Sequence, residues 1–393
     1  VFKSAEVTVI HFSSKSFWRG GEQQITFLIE EYKQLGIGQV LLCPENSLLH
    51  RRMKNTVRCF TFTKLLNIDP ICSGLLAAIC KKHPHAVVHV HDSTAHTIAV
   101  ISGVFFFNRT PVVLSRRVDF EIKPGFLSTF KYNYPTVKSI ICVSRSIQSV
   151  IQVRIRDNSK LVTILSGIDV EFHAGVSKNG LLKERYNLPL DAILVGNTAA
   201  LAPHKDYYTF VDTADLLVKS DKRFRFFIIG DGPEYKSIRS YIRKKGLHEY
   251  IAMTGFLEEA STILPELDFF LMTSRSEGLG TSIMNAFACK VPVISTDAGG
   301  IPEIITDKET GLLAPVRNAR ALADHVLRLV DDPELKDSIV ARAYQRIQEF
   351  SKKQTAKQTL EIYRKVLNGS DILLSQTRSE NPTTDVLRGS PGN

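Results

Sequence analysis

Two short stretches carry residue types suited to holding a phosphorylated ligand. Phe17-Trp18-Arg19-Gly20-Gly21-Glu22-Gln23 ends a polar loop on a glycine pair and opens a helical pattern. Backbone without side chains can approach a phosphate closely, and a helix start supplies unpaired N–H groups at the positive end of its dipole. Ser274-Arg275-Ser276-Glu277-Gly278-Leu279-Gly280-Thr281 follows an apolar strand candidate, Asp268 to Met272, and precedes a second helical pattern. His89 and His91 close a further apolar run. A strand-end histidine is most often a structural hydrogen-bonder. His89 is expected to point to the face opposite His91, which singles out one of the pair.

The elements that position these residues alternate between strand and helix. Val7 to Phe12 is a β-branched run, Ser13 to Gly21 a polar loop, and Ile25, Leu28, Ile29, Tyr32 and Leu35 then recur at helical spacing. Further strands are expected at Gln39 to Cys43, Val57 to Phe62, Ala86 to Val90, Pro111 to Leu114, Ser139 to Val143 and Leu161 to Leu165. A second series runs through Ala192 to Thr198, Arg223 to Ile229, Tyr250 to Thr254, Asp268 to Met272, Val291 to Ser295 and Gly311 to Leu313. The pattern predicts an α/β protein with two Rossmann-like parallel-sheet domains, residues 1–165 and 191–350, facing a central cleft. Residues 166–190 read as a polar linker, 351–368 as a C-terminal helix, and the Ser-, Thr- and Asn-rich stretch 369–393 as a disordered tail.

Together with Ala286-Phe287-Ala288, Pro292-Val293, Ala298-Gly299-Gly300-Ile301-Pro302-Glu303 and Thr310-Gly311-Leu312-Leu313, the Glu277 stretch resembles the donor-binding domain of family-four retaining glycosyltransferases of the GT-B fold, the bacterial glycosyl transferase group 1 type. The ordered motif series covers roughly residues 5 to 368. Asn197 to Asp206 resembles the family's first donor-domain strand and phosphate lysine loop, and Ile228 to Glu234, with Gly230, its next strand and turn. In the first domain, Gly20-Gly21, His89-Val90-His91-Asp92 and Cys142-Val143-Ser144 match the phosphate loop, active-site histidine and last-strand serine.

The resemblance implies transfer of a sugar, with retained anomeric configuration, from a nucleotide-diphosphate donor to a glycan or glycolipid in cell-surface polysaccharide or lipopolysaccharide synthesis. The leaving diphosphate gains negative charge as the glycosidic bond breaks, so a fixed cation beside it stabilises the transition state. Lys205 is that cation by resemblance. Glu277 would accept from donor-sugar hydroxyls, Gly278, Leu279, Gly280 and Thr281 would offer backbone N–H groups, and His91 would reach the sugar across the cleft. No Asp-x-Asp stands where a metal could bridge the diphosphate, so no metal and no cofactor beyond the nucleotide-sugar co-substrate is expected. Three departures qualify the match. Ala200 replaces the usual arginine near the phosphate lysine, with Arg19 or Arg275 as substitutes; Asn285 replaces the glutamate that holds the ribose; Lys290 replaces a common glycine. The alternative is a degenerate GT-B protein that binds a nucleotide sugar or a partner without turnover.

Composition adds a clue about the acceptor. The 393-residue chain is 44% hydrophobic with net charge +10, and residues 1–165 hold 21 Lys and Arg against 10 Asp and Glu, while the remainder holds 29 against 30. The positive excess therefore belongs to the first domain, and favours anionic partners. Phe105-Phe106-Phe107-Asn108-Arg109, Arg116-Arg117, Lys123, Phe126, Phe130-Lys131-Tyr132, Arg154, Arg156 and Lys160 mix cations with aromatics. We expect an anionic or membrane-linked acceptor met by Arg116 or Arg117, with peripheral membrane contact. No nucleic-acid-binding pattern accompanies the charge. The six cysteines show no paired spacing, and neither a signal peptide nor a spanning run is evident. A cytoplasmic protein at the inner membrane face is expected.

Overall fold

The computed structural model describes residues 7–63, 69–257 and 260–379. Among them are thirteen strands in two wholly parallel sheets. The first contains β1 (Thr8–Phe12), β2 (Gly38–Pro44), β3 (Arg58–Phe62), β4 (Ala86–Val90), β5 (Val112–Arg116), β6 (Val137–Cys142) and β7 (Leu161–Thr163) in the order 3-2-1-4-5-6-7. The second contains β8 (Ile193–Thr198), β9 (Phe224–Ile229), β10 (Ile251–Gly255), β11 (Phe269–Met272), β12 (Val293–Thr296) and β13 (Leu312–Ala314) in the order 10-9-8-11-12-13. Parallel strands are covered by helices on both faces, so they read as continuous apolar runs. Both β4 and β5 are buried along their whole length.

Strand order reverses direction between β1 and β4, and again between β8 and β11. Segments leaving the carboxyl ends of those neighbours diverge to opposite faces of the sheet and leave a crevice between them. The loop after β1 leads to Gly20-Gly21, and the end of β4 leads to His91. The end of β8 leads to Lys205, and the end of β11 leads to Glu277. All four candidate segments therefore sit at the two switch points.

The chain returns to the first sheet through the helix Lys352–Ser379. Its Ala356, Leu360 and Tyr363 pack with Val9, Val87 and Val113 in one buried cluster. Ser351 bridges to Ile168, and Lys352 Nζ lies 2.6 Å from Asp169. This helix extends beyond residue 368, so the expected tail is helical through Ser379; residues 380–393 lie outside the described residues. The stretch 166–190 also differs from a plain loop, since it carries the helices Val170–Ala174 and Leu181–Arg185. Buried Glu266 accepts hydrogen bonds from the Asn179 and Gly180 amides at 2.7 and 3.2 Å, which ties that stretch to the second unit.

The crossover back to the first sheet is tight at Gly167. Gln24 clamps it, donating from Nε2 to its carbonyl and accepting from its amide, at 2.7 and 3.1 Å. A Cβ at this position would lie 2.8 Å from the Lys352 backbone. Gly167→Ala is expected to destabilise the fold by about 1–3 kcal/mol by forcing the final helix off the sheet. Thermal or denaturant unfolding checks it, and an unchanged midpoint would show that the helix start can yield.

Candidate active site

The two crevices face each other, and backbone meets backbone across them. A Cβ on Gly278 would stand 2.5 Å from the Arg117 carbonyl oxygen, and one on Gly300 would stand 2.3 Å from the Gly278 carbonyl oxygen and 3.1 Å from Ser144 Cβ. Only side-chain-free residues allow this stacking. Glu303 accepts from the Arg145 and Ser146 amides, both at 2.9 Å, at the start of the helix Arg145–Gln152. Ser276 donates to Asp119 across the same boundary. The motif running from Ala298 to Glu303 thus clasps the Glu277-Gly278 turn and the first unit together.

On the second unit, Lys205 and Glu277 form a nearly buried ion pair, and Ser274 Oγ donates to Glu277 Oε1 at 2.9 Å. Thr273 Oγ1 donates to the Lys205 and Asp206 carbonyls at 3.2 and 3.0 Å, and the Arg275 amide donates to the His204 carbonyl at 2.7 Å. These bonds stitch the lysine loop to the Glu277 loop. Gly230 supports it from below: its φ is +148°, and an added Cβ would lie 2.0 Å from the Ala199 carbonyl oxygen. Gly280, also at positive φ (+89°), precedes the helix Thr281–Ala288, with Leu279 buried and Asn285 one turn along. Thr281 Oγ1 lies 3.4 Å from the place of a Cβ on Gly20, so the glycine loop of the first unit reaches this helix start. A cavity of about 580 Å³ opens beside the lysine loop, lined by Phe120, Pro203, His204, Arg275 and Ser276. A hollow of about 600 Å³ lies at the other end of the second sheet, by Asp268 and Pro292, away from all of these residues.

On the first unit, Asp92 joins the two loops of the switch point. It accepts from the Ser14 amide and hydroxyl, each at 2.6 Å, and caps the helix Ser93–Phe105 through the Thr94 and Ala95 amides. Glu22 accepts from the Arg19 amide at 3.1 Å at the start of the helix Gly20–Gln34, and burial raises its pKa.

His89 does not turn away from His91. Residues two apart on a strand share a face, and their ring centres are 3.9 Å apart. His11, paired with His89 across β1 and β4, joins them. His89 contacts Ser115 Oγ at 2.8 Å and the hydroxyl of Tyr363 on the final helix. The protonation pattern of the other two rings follows from both ends of a chain. Gln39 donates through Nε2 to the Ile29 carbonyl, so its Oε1 accepts from His11 Nε2–H at 3.2 Å. His11 Nδ1 then accepts from His91 Nε2–H at 3.3 Å. His91 Nδ1 accepts from Arg117 Nη2 at 3.3 Å. Arginine can only donate, so it demands the same tautomer of His91. Burial lowers the pKa of all three histidines, His11 to about 4, and Arg117 contributes to the lowering at His89 and His91. The three rings offer nitrogens within 4.8 Å of one another, a spacing a metal could use. Those of His11 and His91 are already engaged in the chain to Gln39 and Arg117, and the guanidinium against His91 opposes a cation there.

The adjacent arginines diverge. Arg116 is buried, donating from Nη1 to the Tyr132 hydroxyl at 2.9 Å and from Nη2 to the Phe120 carbonyl. It braces the 116–132 segment and is not available to an acceptor, contrary to expectation. Arg117 is half-buried; its Nε is shielded and has no partner among the described residues, and burial lowers its pKa to about 10. His11 and Gln39 were not singled out from sequence, where each is an ordinary polar residue on a strand, while Asp92 and Glu303 stood in the quoted motifs without a role of their own.

Comparison with known proteins agrees with this architecture in both halves. Residues 18–172 match the model of Glycosyltransferase Family 4, and residues 180–346 match Glycosyl transferases group 1. The chain belongs to the family-four glycosyltransferases of the GT-B fold. An uncharacterized glycosyltransferase of Methanocaldococcus jannaschii is 31% identical over 57% of this chain and 57% of its own length, so the match spans little over half of that relative. The N-acetyl-alpha-D-glucosaminyl L-malate synthase of Bacillus anthracis is 23% identical over 79% of this chain and 83% of its own. Anabaena HepE, crystallised with UDP and glucose, superposes with a TM-score of 0.80 at 16% identity, covering 91% of this chain and 99% of that one. A Rickettsia africae glycosyltransferase gives 0.79 at 19%, covering 92% and 99%. At these identities the likeness of the solved structures carries the fold.

The histidine cluster predicts a pH dependence of stability in this GT-B chain. An unfolded histidine titrates near 6.5, and folded His11 near 4. Between these values the unfolded state binds more protons, so the stabilisation is complete above about pH 6.5 and declines as pH falls toward about 4, by roughly 3 kcal/mol for His11 alone. Melting curves from about pH 7.5 to about pH 4 should show the decline, and His11→Phe should flatten it. An identical slope in the variant would place the titration elsewhere.

Proposed function

We propose that the chain transfers a sugar from a nucleotide-diphosphate sugar to a glycan or glycolipid acceptor, with retention, in the synthesis of cell-surface polysaccharide or lipopolysaccharide. The observation that carries this reading is the Lys205–Glu277 pair, placed beside the Gly280 helix start and opposite the Gly20-Gly21 helix start. A lysine and two helix starts favour a diphosphate. Glu277, released from Lys205 as the phosphates take its place, is available to donor-sugar hydroxyls, and Asn285 can accept from a ribose hydroxyl.

In the proposed reaction the bond from the anomeric carbon to the diphosphate breaks, and the acceptor hydroxyl oxygen bonds to that carbon on the same face. Its proton passes to a leaving phosphate oxygen, as in a front-face route. Lys205 stabilises the charge that develops on the leaving group. This chemistry assigns no step to a divalent metal or a further cofactor. His91, with both ring nitrogens engaged, holds Arg117. UDP accompanies glucose in the Anabaena structure and alpha-GlcNAc-glycerol in a Staphylococcus aureus TarM structure, which supports a nucleotide-sugar donor and a glycan-type acceptor here.

Hydrolysis and transfer with a panel of UDP-, GDP- and ADP-sugars test the reading. Lys205→Ala is expected to lose on the order of 3 kcal/mol of transition-state stabilisation, about a hundredfold in rate. Glu277→Ala should also weaken sugar recognition. Both variants should remain folded, and wild-type transfer should persist in excess EDTA. Turnover near wild type in either variant would remove that residue from the site, and donor binding without any turnover would favour a degenerate protein.

The acceptor is proposed to be anionic or membrane-linked, with the chain lying peripherally at the cytoplasmic membrane face. Phe105, Phe107, Phe126 and Leu127 are more than 70% exposed, and Arg109, Lys123, Arg154 and Arg156 are exposed on the same unit. Apolar side chains that can enter a bilayer edge, with cations that meet its phosphates, suit such a surface. Among the described residues no helix is long and apolar enough to cross a membrane. Sedimentation should show salt-sensitive binding to anionic over neutral liposomes, reduced in a Phe126→Ser, Leu127→Ser double variant. Binding to neither, with efficient transfer to an uncharged soluble acceptor, would refute the membrane link.

A further inference from the structure

The proposed donor site lacks one positive charge on its second-unit side, where Ala200 stands. The two cations that the sequence offers in its place, Arg275 and Arg19, are both exposed. Arg275 donates from Nη2 to the Pro203 carbonyl at 2.7 Å, and the exposed Arg19 guanidinium stacks 4.6 Å from the centre of the Phe17 ring.

Arg117 has the geometry they lack. Its backbone carbonyl is packed against Gly278, beside Glu277, and its side chain crosses to the glycine loop, where Cδ would lie 3.6 Å from a Cβ on Gly21. It therefore spans the interval between the two helix starts. No carboxylate bonds to it, and its one hydrogen bond among the described residues is to neutral His91, which leaves the guanidinium's charge uncompensated by contact. Glu22, the nearest acid by electrostatic effect, is itself tied to the Arg19 amide and to Ser13. A shielded cation without a paired anion is costly unless a ligand completes it. The Gln39–His11–His91 chain gives it a fixed direction, because each ring in that chain has one tautomer compatible with its neighbours.

We propose that Arg117 binds the diphosphate of the nucleotide donor from the first unit, replacing the charge absent at Ala200, with His91, His11 and Gln39 as its positioning residues. This rests on the nucleotide-sugar reading above and departs from the expectation that Arg117 meets the acceptor. The planar guanidinium can take two phosphate oxygens at once, and the same contact strengthens as charge accumulates on the leaving group. Its placement on the first unit makes phosphate binding depend on residues of both units.

The test compares affinities of UDP, GDP and ADP, each against its own monophosphate, by titration calorimetry on wild type, Arg117→Gln and Arg117→Lys, with circular dichroism of each protein. For the nucleotide that wild type binds, Arg117→Gln is expected to weaken the diphosphate by about tenfold or more and the monophosphate by less than about threefold. If Arg117→Gln does not fold, Arg117→Lys decides: it keeps a charge but not the His91-held fork, and should reduce the preference for diphosphate by about threefold or more. Unchanged diphosphate affinity with lost transfer would assign Arg117 to the acceptor and overturn the inference while leaving the donor reading intact. Failure of wild type to bind any of the three diphosphates would remove that reading and this inference with it.

Discussion

The structure depends on how closely two backbones approach at Gly278. The Arg117 carbonyl lies where a side chain on residue 278 would begin, and the Gly299-Gly300 turn lies directly on the other side. This stack brings the carboxyl ends of two separate parallel sheets into register, so loops that would otherwise be two half-sites become the walls of one cleft. Glu303 reinforces it by accepting from two amides at the start of a helix on the opposite unit, an interaction favoured by the helix dipole as well as by the hydrogen bonds.

Two electrostatic devices share that cleft. Lys205 and Glu277 neutralise each other without a ligand, so neither charge is left uncompensated in a nearly buried place. Arg117 has no such acid, and the protein instead keeps the surrounding histidines neutral. A neutral His91 accepts from the guanidinium; a protonated one would repel it. The final helix enters this arrangement through Tyr363, which meets His89, so the segment that closes the fold also supports the polar floor of the site.

Much of the architecture was legible in the sequence. All thirteen expected strands are present, with ends shifted by at most a few residues, because fully buried parallel strands such as β4 and β5 leave uninterrupted apolar runs. The final helix was read too short: beyond residue 368, Gly369, Ser370 and Asp371 interrupt the apolar spacing that marks a packed face. Site details were less legible. Period-two alternation, applied correctly, puts His89 beside His91. Arg116 and Arg117 are neighbours of the same type, yet one faces Tyr132 and the other the glycine loop, a distinction that depends on where β5 ends. Gln39 and His11 matter only through partners on other strands, which pattern along the chain does not reveal.

The central claim is that the cleft between the two units holds the diphosphate of a nucleotide donor. A crystal structure of the chain with whichever of UDP, GDP or ADP raises its melting temperature most tests it directly. The account predicts the diphosphate between Lys205 and the Gly20-Gly21 helix start, with the Lys205–Glu277 pair opened to admit it. A nucleotide bound outside the cleft, with that pair intact, would contradict it.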